Sequence, residues 1–161
     1  IAHSSTLNIS NAITISTWVN FNNINIIEYG KDWVSILTKN NFAKSYGLMF
    51  SLGDNKLWRF YHNGASSDNT DYQSKNITTI NNWFFVTATY NNSVSKIYIN
   101  DMLVSSNNTN GAIESNSDDI FLAKSGGNWF PYFFNGEVDD LRIYNRALDE
   151  SEIKELYNRG K

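Results

Sequence analysis

The sequence contains no cysteine, so disulfide staples and thiolate metal sites are excluded, although that absence does not decide the compartment. It has only two histidines, His3 and His62, far apart in the chain. A nucleophilic triad and a histidine zinc centre are therefore disfavoured, and each histidine reads as a surface or strand-end residue. No apolar run approaches the roughly 20 residues of a membrane-spanning helix, so membrane insertion is not expected, and Ile1 does not open a signal peptide. Thirteen Lys and Arg face sixteen Asp and Glu, a net charge of −3 with the two signs mixed along the chain. The basic patch that nucleic acid requires is missing. So are a phosphate-binding glycine loop ahead of a helix, H-E-x-x-H and G-x-S-x-G.

What is present is aromatic and asparagine-rich: aromatic residues make up 15% of the chain and five are tryptophan. Four N-glycosylation sequons, at Asn8, Asn76, Asn91 and Asn107, are about what such a composition produces by chance and carry no weight. At 161 residues the chain is one domain, long enough for a sizeable core.

Period-two alternation recurs along it. In Ile13–Phe21, Ile13, Ile15, Val19 and Phe21 share a face opposite Thr14, Ser16, Trp18 and Asn20, as in a half-buried strand. Trp33–Lys39 reads as a second strand. Residues 46–52 and 56–62 form a hairpin about Gly53-Asp54-Asn55. Trp58, Phe60 and His62 share one face there, Leu57, Arg59 and Tyr61 the other, and the pattern leaves open which is buried. Trp83–Tyr90 sets Phe84, Val86, Ala88 and Tyr90 against Trp83, Phe85, Thr87 and Thr89. Residues 96–105 read as a hairpin about Asn100-Asp101, a pair suited to positive φ, and 119–124 as a short strand. Polar stretches at 22–32, 63–76 and 105–117 and the glycine-rich 125–131 are loops. Many short strands without strand–helix alternation predict an all-β, two-sheet antiparallel sandwich.

The last 28 residues organise the rest. Residues 134–144 suit a strand with a phase slip near Asp140 that predicts a bulge. Asp149 stands three residues before Glu152, a capping box, with Leu148 and Ile153 placed for a hydrophobic staple. Ile153, Leu156 and Tyr157 fall on one helical face, Glu150 and Lys154 make a favourable pair, and Gly160 sits where a left-handed stop is expected. So short a helix must dock on the sheet to be stable.

The stretch F-N-G-E-V-D-D-L-R-I-Y-N-R-A-L-D-E-S-E-I, residues 134–153, is similar to the closing motif of laminin-G-like, concanavalin A-like jelly-roll domains of bacterial surface proteins and carbohydrate-active enzymes. I-T-I-S-T-W-V-N-F (13–21), W-F-F-V-T-A-T-Y (83–90) and K-I-Y-I-N-D-M-L-V (96–104) resemble the family in the right order. The resemblance implies a single laminin-G/concanavalin A-like domain over residues 1–161, with one short C-terminal helix. The family's first strand is expected to be missing from it or supplied elsewhere. It further implies a non-catalytic, lectin-like module that binds carbohydrate, secreted or displayed on a bacterial cell surface and attached to other domains of a parent protein. A protein-binding adhesion module or a structural spacer of the same fold is the alternative. The family's V-D-D-L-R-I-Y motif places structural calcium on its first Asp, which maps to Asp139, with further ligands from near the N-terminus. The competing reading of Asp139 is a carboxylate that bonds a neighbouring loop or pairs with Arg142.

Glu137 and Asp139 also resemble the start of the Glu-x-Asp-x-x-Glu motif of laminarinase-type hydrolases. A retaining glycosidase needs a second carboxylate about 5 Å from the first, and the positions that would supply it are Leu141 and Arg142. An enzyme is therefore not expected. Glu114, Asp118 and Asp119 lack EF-hand spacing and read as a solvated loop. Aromatic faces suit sugar C–H groups. Trp18 and Trp83, in strand motifs, read as core residues, and Trp58 is ambiguous. Trp33 and Trp129, in polar glycine-flanked loops, are the better carbohydrate-binding candidates, with Arg59 and Tyr61 on one strand face to supply hydrogen bonds.

Overall fold

The computed structural model describes residues 1–23, 33–39, 45–53, 57–62, 70–73, 80–109, 111–124 and 133–160. Among the described residues ten strands run in chain order: β1 (Ile13–Phe21), β2 (Trp33–Lys39), β3 (Tyr46–Ser51), β4 (Leu57–His62), β5 (Thr70–Gln73), β6 (Trp83–Tyr90), β7 (Val94–Ile99), β8 (Met102–Asn108), β9 (Ile120–Leu122) and β10 (Gly136–Tyr144), followed by helix α1 (Glu150–Arg159). They make two five-stranded sheets, ordered β10-β1-β6-β7-β8 and β5-β4-β3-β2-β9. Neighbouring strands pair antiparallel throughout. This is the sandwich that the alternation predicts.

The core between the sheets draws aliphatic and aromatic side chains from both. Ile13, Ile15, Val19, Val86, Ala88 and Ile97 meet Leu48, Phe50, Trp58 and Phe60. Phe21 lies 4.8 Å from Phe50, and Phe50 lies 4.8 Å from Trp58, both tilted or edge-on as ring quadrupoles prefer. That settles Trp58 and its strand face as core. His62, expected at the surface or at a strand end, is the last residue of β4, but it is fully buried and stacked on Tyr90 with ring centroids 3.7 Å apart. Its position on the Trp58–Phe60 face decides this, because every second residue of a paired strand shares the same environment.

Two polar ties close the ends. Buried Lys39 donates from Nζ to the carbonyls of Asn116 (3.2 Å) and Asp118 (2.7 Å), fixing the segment before β9. Ile1 exchanges two hydrogen bonds with Ile120, its ammonium donating to the Ile120 carbonyl at 2.7 Å and its carbonyl accepting from the Ile120 N–H at 2.9 Å. The N-terminal residue thus lies along the β9 edge of the second sheet.

All nine residues of β1 are buried, not only its core face. The outer side is covered by α1, which builds a second, smaller core. Trp18, Phe85 and Tyr98 come from the sheet; Leu148, Ile153 and Leu156 come from the helix and its approach. The capping box forms as expected: the Asp149 side chain accepts from the Glu152 N–H at 2.9 Å, and Glu152 accepts from the Asp149 N–H at 3.0 Å. Two local expectations differ. Gly160 has φ −94° rather than a left-handed conformation, and Glu150 reaches Lys96 on β7 at 3.7 Å.

Candidate functional site

The site begins with an irregularity. Between the pairs Ser16–Arg142 and Trp18–Asp139 the register of β1 and β10 shifts, so that one residue of β1 faces two of β10. This is the bulge foreseen near Asp140, which sits at φ 47°. Thr17 Oγ1 pins it by donating to the Asp139 carbonyl at 3.0 Å. The consequence is that Asp139 projects from the outer face of the sheet as an exposed carboxylate. Its Oδ1 accepts from the Asp140 N–H at 2.7 Å, which leaves Oδ2 for another donor. Asp140 is engaged by Arg142, whose Nε lies 2.8 Å from its Oδ1.

Beside this bulge, β6 brings Trp83 and Phe85 onto the same outer face, because Trp83 pairs with Asn20 and Phe85 with Trp18. The β7–β8 turn adds Asn100. Asn100 and Asp101 both have positive φ, 50° and 67°, a two-residue turn whose twist matches the strands. Phe85 holds Asn100 twice: the Phe85 N–H donates to Asn100 Oδ1 at 2.9 Å, and the Phe85 carbonyl accepts from the Asn100 N–H at 2.8 Å. With Oδ1 occupied, the Nδ2 amide is available to an acceptor in the space in front of it.

The end of α1 supplies the last wall. Tyr157 stacks on Trp18 at 5.6 Å, and Arg159, held by Glu155, and Gly160 follow. Together these residues line a groove of about 770 Å³. Trp83 is 42% exposed at its rim. Trp18 is 9% exposed at its base, and its indole N–H has no partner. That nitrogen faces the bare Cα of Gly160; a Cβ there would run into it. The groove therefore offers an aromatic platform, one free carboxylate oxygen and the Asn100 amide donor, while the Trp18 indole N–H is covered by Gly160.

Trp83 read as a core residue in the sequence, and the structure corrects this. The alternation placed it on the right face, with Phe85, but as the first residue of β6 it lies beyond the reach of the helix that covers Phe85. The available signal was the pairing of two tryptophan-bearing strand motifs with an Asn-Asp turn.

The opposite sheet carries the other expected residues. On its outer face the Arg59 guanidinium lies 4.4 Å from the centre of the Trp33 ring, a cation–π contact that already covers part of that ring. Tyr61 does share this strand face with Arg59, but it is 2% exposed, and burial pushes its phenol well above the ordinary value. Its ring sits over Gly47, where a Cβ would collide with it. The structure therefore brings Trp33 and Arg59 together and leaves Tyr61 no open face. Trp129 lies outside the described residues.

A family model for the concanavalin A-like lectin/glucanases superfamily, Laminin_G_3, matches residues 1–154. The chain belongs to that superfamily. No curated protein matches it. Solved structures with the same fold include a Bacteroides ovatus protein provisionally named as carbohydrate binding, with TM-score 0.71 and 18% identity over 89% of this chain and 40% of that one. A botulinum neurotoxin DC binding domain in complex with SialylT gives TM-score 0.68 and 20% identity over 99% of this chain and 38% of that one. The same toxin's binding domain in complex with rat synaptotagmin II gives 0.67 and 19%, over 96% and 37%. This chain thus spans about two fifths of the length of each of these structures.

Calcium in this concanavalin A-like domain would need six to eight oxygens. Around Asp139 the described residues offer one free carboxylate oxygen, the Asp140 carboxylate is committed to Arg142, and the Asp139 carbonyl already accepts from Thr17. Among the described residues no three Asp, Glu or His side chains gather as a metal shell. By themselves they do not fit the ion. Glu137 faces Asn20, whose Nδ2 donates to its Oε2 at 3.0 Å. After Glu137, Asp139 and Asp140, the next two residues of β10 are Leu141 and Arg142, which carry no carboxylate.

Proposed function

We propose that this chain is a non-catalytic, lectin-like carbohydrate-binding module of a larger secreted or surface protein, and that the Trp83 groove is its binding site. The observation that carries this reading is the exposed Trp83 ring beside Asn100 Nδ2 and Asp139 Oδ2. An aromatic face and convergent polar groups are what a sugar ring, with one apolar face and a rim of hydroxyls, requires. Two structures of the same fold, one named as carbohydrate binding and one in complex with SialylT, support the reading, and the residues at positions 141 and 142 support a binding rather than a hydrolytic role. One stacked ring contributes about 1 kcal/mol beyond its buried area, so a single site is weak and the parent protein would gain affinity by displaying several modules.

A glycan array read with the wild type and Trp83→Ala tests this. Binding that is lost in the variant, with an unchanged melting temperature, is the expected result. No binding to any glycan overturns the reading. A protein-binding module of the same fold is the second reading. Met102 and Leu103, 65% and 46% exposed just after the Asn100-Asp101 turn, favour it, as does the synaptotagmin complex of one relative in fold.

A further inference from the structure

We infer that the Trp83 groove selects neutral glycans over acidic ones, with Asp139 accepting hydrogen bonds from sugar hydroxyls. This rests on the carbohydrate reading above and gives that site its ligand class.

The charges at the groove decide it. Asp140 is matched by Arg142 at 2.8 Å, and Arg159 is matched by Glu155, so neither pair leaves a local excess. Asp139 has no cationic partner among the described residues, and only its Oδ1 is engaged. One negative charge therefore faces the groove, on a chain whose net charge is already −3. A sugar hydroxyl can donate to Asp139, whereas the ionised carboxylate of a sialic acid or a uronate can only accept and is repelled.

One unfilled donor fits the same ligand from the other side. Asn100 lines the groove, and its Nδ2 is left over by the bond that Oδ1 makes with Phe85. A hydroxyl is both donor and acceptor, so one sugar edge can satisfy Asp139 and Asn100 at once while its apolar face lies on Trp83. An anion could take the Asn100 N–H but would meet the Asp139 charge.

The test is a printed array that carries neutral hexose and N-acetylhexosamine glycans beside their sialylated, sulfated and uronate-containing counterparts, probed in EDTA with the wild type, Asp139→Ala, Asp139→Asn and Trp83→Ala. Neutral glycans should bind about tenfold better than their acidic counterparts close to the groove. Asp139→Ala should weaken neutral binding about tenfold, the effect of one hydrogen bond to a charged group. Asp139→Asn should weaken neutral binding less and raise binding of the acidic counterparts. Thermal melts of each variant, expected within a few degrees of the wild type because Asp139 is exposed, control for folding. Acidic glycans bound as well as neutral ones, or unchanged by Asp139→Asn, would overturn the selectivity while leaving the carbohydrate reading in place. Binding lost in EDTA and restored by calcium would make Asp139 a metal ligand and overturn its role as acceptor. Absence of any glycan binding defeats the function reading itself and this inference with it.

Discussion

Trp18 and Tyr157 stack with their ring centroids 5.6 Å apart and their planes 23° from parallel, and through that contact the C-terminal helix becomes a wall of the binding groove. The same contact explains why β1 is buried on both faces. A ten-residue helix is not stable alone, so the helix and the groove stand or fall with the small core beneath them.

Removing that core should therefore damage binding as well as stability. Ile153 is fully buried between the helix and the sheet. Ile153→Ala should cost about 2–5 kcal/mol, the range for large-to-small core changes. The check is chemical denaturation alongside glycan binding at a temperature where the variant stays folded. Loss of stability with binding intact would show that the helix does not shape the site.

The start of the helix should be acid-sensitive. The Asp149 carboxyl is held below its ordinary 3.8 by the Ser151 hydroxyl first and then the Glu152 N–H. Glu152 is held below 4.5 by the Arg146 guanidinium first and then the Asp149 N–H. Because both folded values lie below the unfolded ones, the stabilisation is complete above about pH 4.5 and is lost as pH falls through the folded values. Asp149→Asn combined with Glu152→Gln keeps the shape of the capping box without its titration. Melting temperature against pH should fall more gently below pH 4.5 in the double variant than in the wild type, and parallel acid limbs would show that these two groups are not the source.

Much of this architecture is legible in the sequence because period-two alternation and the capping box are local signals. Asp149, Glu152, the Asp140 bulge and the core faces of β1 and β6 could all be read from spacing. The groove could not, because its members lie at residues 18, 83, 100, 139 and 157–160 and meet only through strand pairing and helix docking. Trp83 shows the difficulty: its face follows from alternation, but its exposure depends on where α1 stops covering the sheet. Tyr61 shows the reverse. A polar tip on a strand's outer face looks available, yet the glycine opposite it on β3 lets the ring lie down and become buried.

The calcium that the resemblance places at Asp139 has a direct test. An ion bound only by the folded chain raises the melting temperature in proportion to RT ln(1 + [L]/Kd). With one free carboxylate oxygen on offer at Asp139, millimolar calcium should move the melting temperature of this chain by less than about a degree relative to EDTA. A concentration-dependent rise that Asp139→Asn erases would instead establish the ion.

The two outer faces can be told apart by mutation. On one sheet Trp83 is open at a groove with the Asn100 amide donor and an Asp139 carboxylate that has no cationic partner among the described residues. On the other, Arg59 occupies one face of Trp33 at 4.4 Å, so a sugar would have to displace a cation–π contact worth about 0.5–1 kcal/mol before gaining its own stacking. The faces lie on opposite sides of the sandwich, so their variants should act independently. Trp83→Ala is therefore expected to reduce glycan binding at least several-fold while melting stays within a few degrees, since the ring is largely outside the core. Trp33→Ala and Arg59→Ala should leave binding near the wild-type level. Titration of all three variants against the best array ligand, with a melt of each, decides between the faces. Binding that survives Trp83→Ala and disappears in Arg59→Ala would move the site to the β4 side and make Trp33 its platform.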